Sequence, residues 1–522
     1  MASTFHGIET AKRSVLTQQT AINTVGHNIS NANTAGYTRQ RVTMVASRPM
    51  EAFGINRSSS PGQLGTGVEF TAINRIRTAY LDDEFRNQSK FLGSWSIRSE
   101  TLDKLEAIVN EPSDTGIRKV MDNFYQAWSD LSKDPSNVTA RRIVKENATA
   151  LTDAFNYMSQ QLSNLSQDLT TNVSVKANEV QSYLSSIADL NQSIYKIESL
   201  GDNANDLRDQ RDLLTDKLSN IINITVQNTD QGYSISLGGQ ALVQGSQVLV
   251  QVNAGVTPQE QGAYLEGAYA AGFLNGGEVY GMIFSRENYV KDYSKQLDEL
   301  ADTLANGDIK VTLPKGTVLP VGMSVTTTSG GSVSGALGED TEVILKGLNG
   351  LHQLGYSLDG STTGSLPFFE GGSPITAANI KLNSLISDNP NLIASSMRTT
   401  GTGTDEQVVK GNNTLALLMA NLKQTSFLSV DGKREATIDS FYSSIVGQLG
   451  VQAQEATRQI QNSTGLVQQV ENSRQSISGV SLDEEMSDLI KYQHAYTAAA
   501  RFMTTYDEML DKLINSTGTV GR

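Results

Sequence analysis

The sequence predicts a multi-domain protein, mainly α with β insertions. Its N- and C-terminal helices pair as a coiled coil, beside a long-helix bundle core domain and a small β-rich outer domain. Three observations carry that prediction. Both ends of the 522-residue chain hold seven-residue apolar repeats, the stretch from Ser136 to Leu200 has neither glycine nor proline, and two internal blocks shift to glycine and β-branched residues.

Near the N-terminus Ile8, Val15, Ile22 and Ile29 recur every seven residues, with Ala11, Gln18, Val25 and Ala32 three positions after each. These are the a and d positions of a heptad. At the C-terminus Leu482, Leu489, Tyr496, Met503 and Leu510 form one series, and Tyr492, Ala499, Tyr506 and Leu513 its companion. An isolated amphipathic helix is marginal in water because nucleation is costly, so each stripe needs a partner. Small alanines on the first helix suit bulky Tyr and Met on the second. The spacing predicts a helix over 5–31, which dissolves into the polar turn Asn31-Ala32-Asn33-Thr34-Ala35-Gly36-Tyr37. Residues 47–67 read as a loop, followed by a short strand at Val68–Phe70.

A helix over 79–110 carries Leu81, Phe85, Leu92, Trp95, Leu102 and Val109, and a shorter one carries Ile117 to Leu131. If unbroken, the stretch from Ser136 to Leu200 makes a helix of about 100 Å at 1.5 Å per residue. Another helix follows Asn205. Its run Asp206-Leu207-Arg208-Asp209-Gln210-Arg211-Asp212 alternates in charge and reads as a solvated face with local ion pairs. From Ile222 to about Ile283, alternation in Tyr233-Ile235-Leu237 and Val248-Val250-Val252 predicts antiparallel strands. Helix returns over 286–306, and 309–348 is again β-like. Helices resume near Thr376 and run, with interruptions at Gly447, Gly450 and Gly465, into the C-terminal coil. There Ser481 and Glu484 have the spacing of a capping box.

The net charge of −14, without a Lys/Arg cluster interleaved with aromatics, argues against a nucleic-acid or anionic-membrane surface. With no cysteine, disulfides, thiolate zinc sites and thiol nucleophiles are excluded together. The start has Lys12 and Arg13 but no long apolar run after them, so no cleaved secretory signal is expected. Nor is a transmembrane segment expected. The four histidines, His6, His27, His352 and His494, have no metal-pair spacing. Gly62-Gln63-Leu64-Gly65-Thr66-Gly67 lacks the lysine and the strand-to-helix context of a phosphate loop and reads as a loop. No general acid and base pair stands out. Catalytic, cofactor and metal sites are all expected to be absent.

At Asn28-Ile29-Ser30-Asn31-Ala32-Asn33-Thr34-Ala35-Gly36-Tyr37 the sequence resembles the N-terminal motif of the axial proteins of the bacterial flagellar rod and hook. Gly479 to Met486, then Leu489-Ile490-Lys491-Tyr492-Gln493, resembles the C-terminal signature of the hook-associated branch. The central signals, from the long helices to Gly355-Tyr356-Ser357-Leu358 and Phe368-Phe369, are similar to those of the hook-associated protein 1 family. Ala35 stands where a proline is common in that motif, and His27 where an asparagine is.

The resemblance implies a structural subunit of the flagellum at the hook-filament junction, required for filament assembly and motility. The alternative is a hook or distal-rod axial subunit. It further implies a homo-oligomeric ring or layer; hook protein, a second junction protein and an export chaperone as partners; and type III export to the cell exterior. On this reading 1–70 and 465–522 form a terminal coiled-coil domain lining the axial channel. Residues 71–308 and 350–464 form a helical core domain with a β subdomain near 222–285, and 309–349 a small inserted β domain. The residues expected at the assembly interface are Ile8, Val15, Ile22, Val25, Ile29, Asn31, Asn33, Gly36, Tyr37, Leu482, Met486, Leu489, Tyr492, Tyr496, Ala499, Met503, Tyr506, Leu510 and Leu513.

Overall fold

The computed structural model describes residues 5–49, 64–111, 113, 116–229, 232–362, 364–401, 405–429 and 434–516. The chain is mainly helical with several small sheets. Helix α1 (His6–Ser30) leads into β1 (Gln40–Ala46) and β2 (Val68–Arg75), an antiparallel pair with a bulge at Thr43/Met44. The second strand thus runs five residues beyond the expected Phe70. Helix α2 (Ala79–Val109) ends where Asn110 turns left-handed at φ 49°, a conformation asparagine tolerates at a helix C-terminus. Helices α3 (Ile117–Lys133), α4 (Val138–Glu198) and α5 (Asn205–Ile221) follow, α4 continuing for 61 residues with nothing in its sequence to break it.

Strands β3 (Thr225–Thr229), β4 (Gly232–Leu237), β5 (Gln240–Gln244) and β6 (Gln247–Val248) form one four-stranded sheet in sequence order. The expected β stretch stops there. Helices α6 (Pro258–Ala270) and α7 (Glu278–Phe284) occupy its second half. Thr257 and Glu260 cap α6 reciprocally with proline in the first turn, a start signal that outweighs the neighbouring β-branched residues.

A π-helical turn (Ser285–Val290) leads into α8 (Lys291–Asn306). Beyond it come β7 (Asp308–Leu313), β8 (Ser324–Thr327), β9 (Ser332–Ser334), β10 (Thr341–Lys346) and α9 (Gly347–Gln353). The region after 376 is less helical than expected: short strands β11 to β16 and short helices α10 (Ser384–Asp388) and α11 (Thr414–Asn421) fill it. Of these strands β15 is Phe427–Leu428 and β16 Glu435–Ala436. The block 309–349 has no sheet to itself, because β15 pairs with β7 and the six-stranded order is β16-β15-β7-β10-β8-β9.

Helix α12 (Ile438–Ser478) passes through Gly447, Gly450 and Gly465 without a break, and α13 (Leu482–Ser516) follows. A helical glycine costs about 1 kcal/mol relative to alanine, which tertiary packing readily offsets.

The chain divides into two compact units, one of residues 1–95, 173–281 and 460–522, the other of 96–172 and 282–459. In the second, Phe124 and Trp128 of α3 pack with Phe368 and Phe369. The Trp128 and Phe368 ring centroids are 5.5 Å apart, and those of Phe368 and Phe369 5.0 Å apart. His352 joins this cluster at 5.2 Å from Phe368. In the first, α1 lies against α13 and against the β1–β2 pair.

Candidate assembly interface

The terminal helices run antiparallel. Gly7 sits against the ring of Tyr506, and at the other end Asn28 Nδ2 donates to Glu485 Oε2 at 2.9 Å. A Cβ at position 7 would fall inside that ring, so glycine permits the close approach. The fully buried positions of α1 are mostly small: Gly7, Ala11, Thr17, Ala21, Thr24, Val25 and Asn28.

Ile8, Val15, Ile22 and Ile29, expected at the seam, are only half-buried. On α13, Ala499 and Leu510 are buried, and Leu489, Tyr492, Met503 and Tyr506 are half-buried. The sequence also places Leu482, Met486, Tyr496 and Leu513 in the seam, but the structure leaves them exposed at 52, 49, 37 and 52%. One partner helix covers only part of an apolar stripe wider than a coiled-coil seam. Ile490, Phe502, Met509 and Ile514 of α13 are exposed as well.

The turn after α1 is held from several sides. Gly36 has φ +81°, and a Cβ there would press on Leu213 of α5. Tyr37 Oη donates to Asn28 Oδ1 at 2.8 Å, and burial together with Asp206 and Asp209 pushes its phenol well above the usual range. Asn31 and Ala32 are half-buried, and Asn33, Thr34, Ala35 and Gly36 are exposed. Of the histidines at these ends, His27 is exposed, 3.3 Å from Asp206 and edge-on to Tyr37, and His494 is exposed. Glu484 is directed to Arg39 at 2.6 Å rather than serving as a capping partner of Ser481.

The Asp206–Asp212 run is no solvated face. Asp209 and Asp212 are both 5% exposed, and with Asp216 they form the acidic side of a buried network. Arg75 Nη1 lies 2.7 Å from Asp209 Oδ1 and 3.0 Å from Asp212 Oδ2. Arg77 binds Asp82 at 2.6 Å, and Arg86 and Arg474 each reach Asp216 at 2.8 Å. Asp209 Oδ2 also accepts from the Thr38 backbone N–H at 2.8 Å, tying the turn to α5.

Burial raises the Asp209 carboxyl against its hydrogen bonds from Arg75 and Thr38. Burial pushes Asp212 up as well, but Arg77, Arg211 and Arg75 outweigh it and hold that carboxyl below its ordinary range. Sequence reasoning missed this network because its cations come from β2, the link between β2 and α2, α2 and α12, up to 258 residues away. It also missed Asn28 and Glu485: Glu485 falls one heptad before Tyr492 as a polar residue in an otherwise apolar series, whereas Asn28 lies outside the a and d positions and gives no such signal. The glycine-rich run at 62–67 lies partly outside the described residues. Among the described residues no group of three His, Asp or Glu side chains is arranged to hold a metal ion, and no helix is long and apolar enough to cross a membrane.

Comparison with known proteins bears on these ends and on the centre. Residues 8–38 match the family described as flagella basal body rod protein, and residues 471–516 the flagellar basal body rod FlgEFG protein C-terminal family. Residues 102–307 match the flagellar hook-associated protein FlgK helical domain. The flagellar hook-associated protein 1 of Bacillus subtilis is 34% identical over 544 aligned positions, covering 100% of both chains. The chain belongs to the flagellar hook-associated protein 1 family. The Escherichia coli member of the family is 26% identical, over 95% of this chain and 97% of its own length. The structure of the flagellar hook junction protein FlgK from Burkholderia pseudomallei aligns with a TM-score of 0.48 at 18% identity, over 77% of this chain and 100% of that one. Hook-associated protein 1 members are structural flagellar proteins, and the rod-family matches coincide with α1 and its turn and with α13.

Proposed function

We propose that this chain is a structural subunit that forms the junction between flagellar hook and filament and is required for filament assembly and motility. One observation carries the reading beyond family membership: the large apolar side chains of α13 that α1 leaves exposed, among them Leu482, Met486, Ile490, Phe502, Met509 and Leu513. So many exposed apolar side chains on one helix mark an interaction site. Further copies of the chain, stacked as a ring or layer, bury them. The terminal pair lines the axial channel as a coiled-coil domain of residues 1–70 and 465–522.

Hook protein on one side and a second junction protein on the other complete the axial contacts, and an export chaperone takes the C-terminal helix before assembly. The chain leaves the cell through the flagellar type III route and works outside it, with no catalytic step. The match of residues 102–307 to the FlgK helical domain favours this role over that of a hook or distal-rod subunit.

In the monomer the terminal helices bury too little to offset their ordering entropy, and order comes with assembly. Amide hydrogen exchange on the purified full chain tests this. Fast exchange over 5–45 and 482–515 with protection over 79–221 is expected; protection at the ends equal to the centre would overturn it. Replacing Leu489 and Tyr496 together with Asp puts one charge in the half-buried seam and one on the exposed surface that assembly buries, and is expected to abolish incorporation while the centre stays folded. Normal filaments from that variant would refute the interface.

A further inference from the structure

A repeat of seven poses a problem that the apolar seam does not solve. The contacts Gly7–Tyr506 and Asn28–Glu485 are separated by 21 residues on each helix, three whole heptads. Sliding α13 along α1 by one heptad therefore brings apolar positions opposite apolar positions again, and packing alone discriminates weakly between the alternatives. The Gly7–Tyr506 fit is one constraint on the register, and a buried polar contact is a stricter one.

We infer that Asn28 and Glu485 are the register key of the terminal helix pair, with Arg39 as its clamp. Both residues are 1% exposed. Asn28 uses its whole amide: Nδ2 donates to Glu485 Oε2 at 2.9 Å and to Gln40 O at 2.8 Å, while Oδ1 accepts from Tyr37 Oη at 2.8 Å and from Gln40 N at 3.0 Å. Glu485 takes its second bond from Arg39 Nε at 2.6 Å through Oε1. The other Arg39 nitrogens face Glu484 at 2.6 Å and Asp488 at 3.7 Å, and the Arg39 backbone N–H donates to Ser478 O at 2.8 Å.

Slipped one heptad one way, Glu485 faces Ala21 and its carboxylate is buried without a donor from α1. Slipped the other way, Asn28 faces Tyr492. A buried polar group left without its partner is penalised far more than a mismatched apolar contact, so only one register keeps the key closed. A single polar position inside an apolar repeat is the best-attested way for a helix pair to fix register. The key deepens the proposed assembly role, because identical subunits stack only if every helix pair has the same register. Its test reads register itself and not incorporation.

The chain has no cysteine, so disulfide trapping in the full-length protein is free of background, and it captures the register in which the pair closes even where the monomer leaves that pair mostly open. Gly7→Cys is combined with Tyr506→Cys for the native register, and, with Gly7 kept, Ser14→Cys with Tyr492→Cys or with Tyr506→Cys for the two slips. In the parent, mild oxidation is expected to close the 7–506 pair and neither slipped pair; a parent that closes the three equally overturns the key, and one that closes none refutes the helix pairing itself. Asn28→Asp, which sets a carboxylate against Glu485, is expected to lower the 7–506 yield about tenfold while slipped pairs appear. Adding Glu485→Gln to Asn28→Asp restores a donor opposite the new carboxylate and is expected to recover most of the native yield. Circular dichroism of each variant separates slippage from unfolding. An unchanged yield in Asn28→Asp, or a folded double variant without recovery, overturns the assignment.

Discussion

The aromatic core around Trp128 and the charged network behind the terminal turn solve the same problem by opposite means. Trp128, Phe124, Phe368 and Phe369 are all at most 1% exposed and hold one another by ring packing. Around Asp209, Asp212 and Asp216 the chain instead buries carboxylates and guanidinium groups that depend on each other. The first arrangement tolerates the loss of a hydrogen bond but not of volume. The second tolerates a change of volume but not of charge. The difference teaches where each unit is vulnerable, and substitution can separate the two.

The largest effect is expected in the aromatic core. Trp128→Ala removes a fully buried indole and leaves a cavity, so the unit around it should lose about 4 kcal/mol, read as faster hydrogen exchange of α3 amides. Asp212→Asn leaves Arg75 and Arg77 short of a buried counter-charge and should cost about 3 kcal/mol, read in α5 exchange.

A comparable loss should come from acid alone in the aromatic core. Burial pushes the His352 imidazole down to about 4, with Nδ1 donating to Leu366 O at 2.6 Å and Nε2 accepting from Ala394 N at 2.9 Å. The unfolded imidazole titrates near about 6.5, so the unfolded chain takes up the proton first. The contribution is complete above that pH and is lost as pH falls to about 4, by roughly 3 kcal/mol in all. His352→Gln should flatten that part of the pH profile.

Asp209→Asn should cost about 1 kcal/mol, since an amide still accepts from Thr38 and the carboxylate it replaces is itself disfavoured by burial. A cost equal to that of Asp212→Asn would show that the network does not distinguish the two. The smallest effect has the opposite sign. Gly450 lies in α12 with open space around a Cβ, and Gly450→Ala should stabilise that helix by about 0.5–1 kcal/mol.

Helices were legible wherever a long apolar period ran, as in α1 to α5, even through Gly7, Gly26 and Gly93. Three features were not. The first turn of α6 carries a capping box at Thr257 and Glu260, yet the surrounding β-branched residues outweigh that local signal when read alone. The glycines of α12 look like breaks because their cost is local, while the packing that offsets it comes from distant residues. The Asp206–Asp212 run looks solvated because alternating charge on one helix is consistent with solvent, and only the fold brings Arg75, Arg77, Arg86 and Arg474 to it. At the interface the heptads identified both helices. Which side of each stripe is covered depends on the close approach at Gly7, which no periodicity reports.

Arg141 is fully buried and donates to Ile393 O, Pro135 O and Ser395 Oγ, joining positions up to 254 residues apart. A chain synthesised from its N-terminus cannot close this contact until residue 395 has been made, and contacts of such separation form late because a long loop must first be closed. Through most of synthesis the segment around Arg141 must therefore keep its charge in water, and its unit sets only once the chain beyond Ser395 is free.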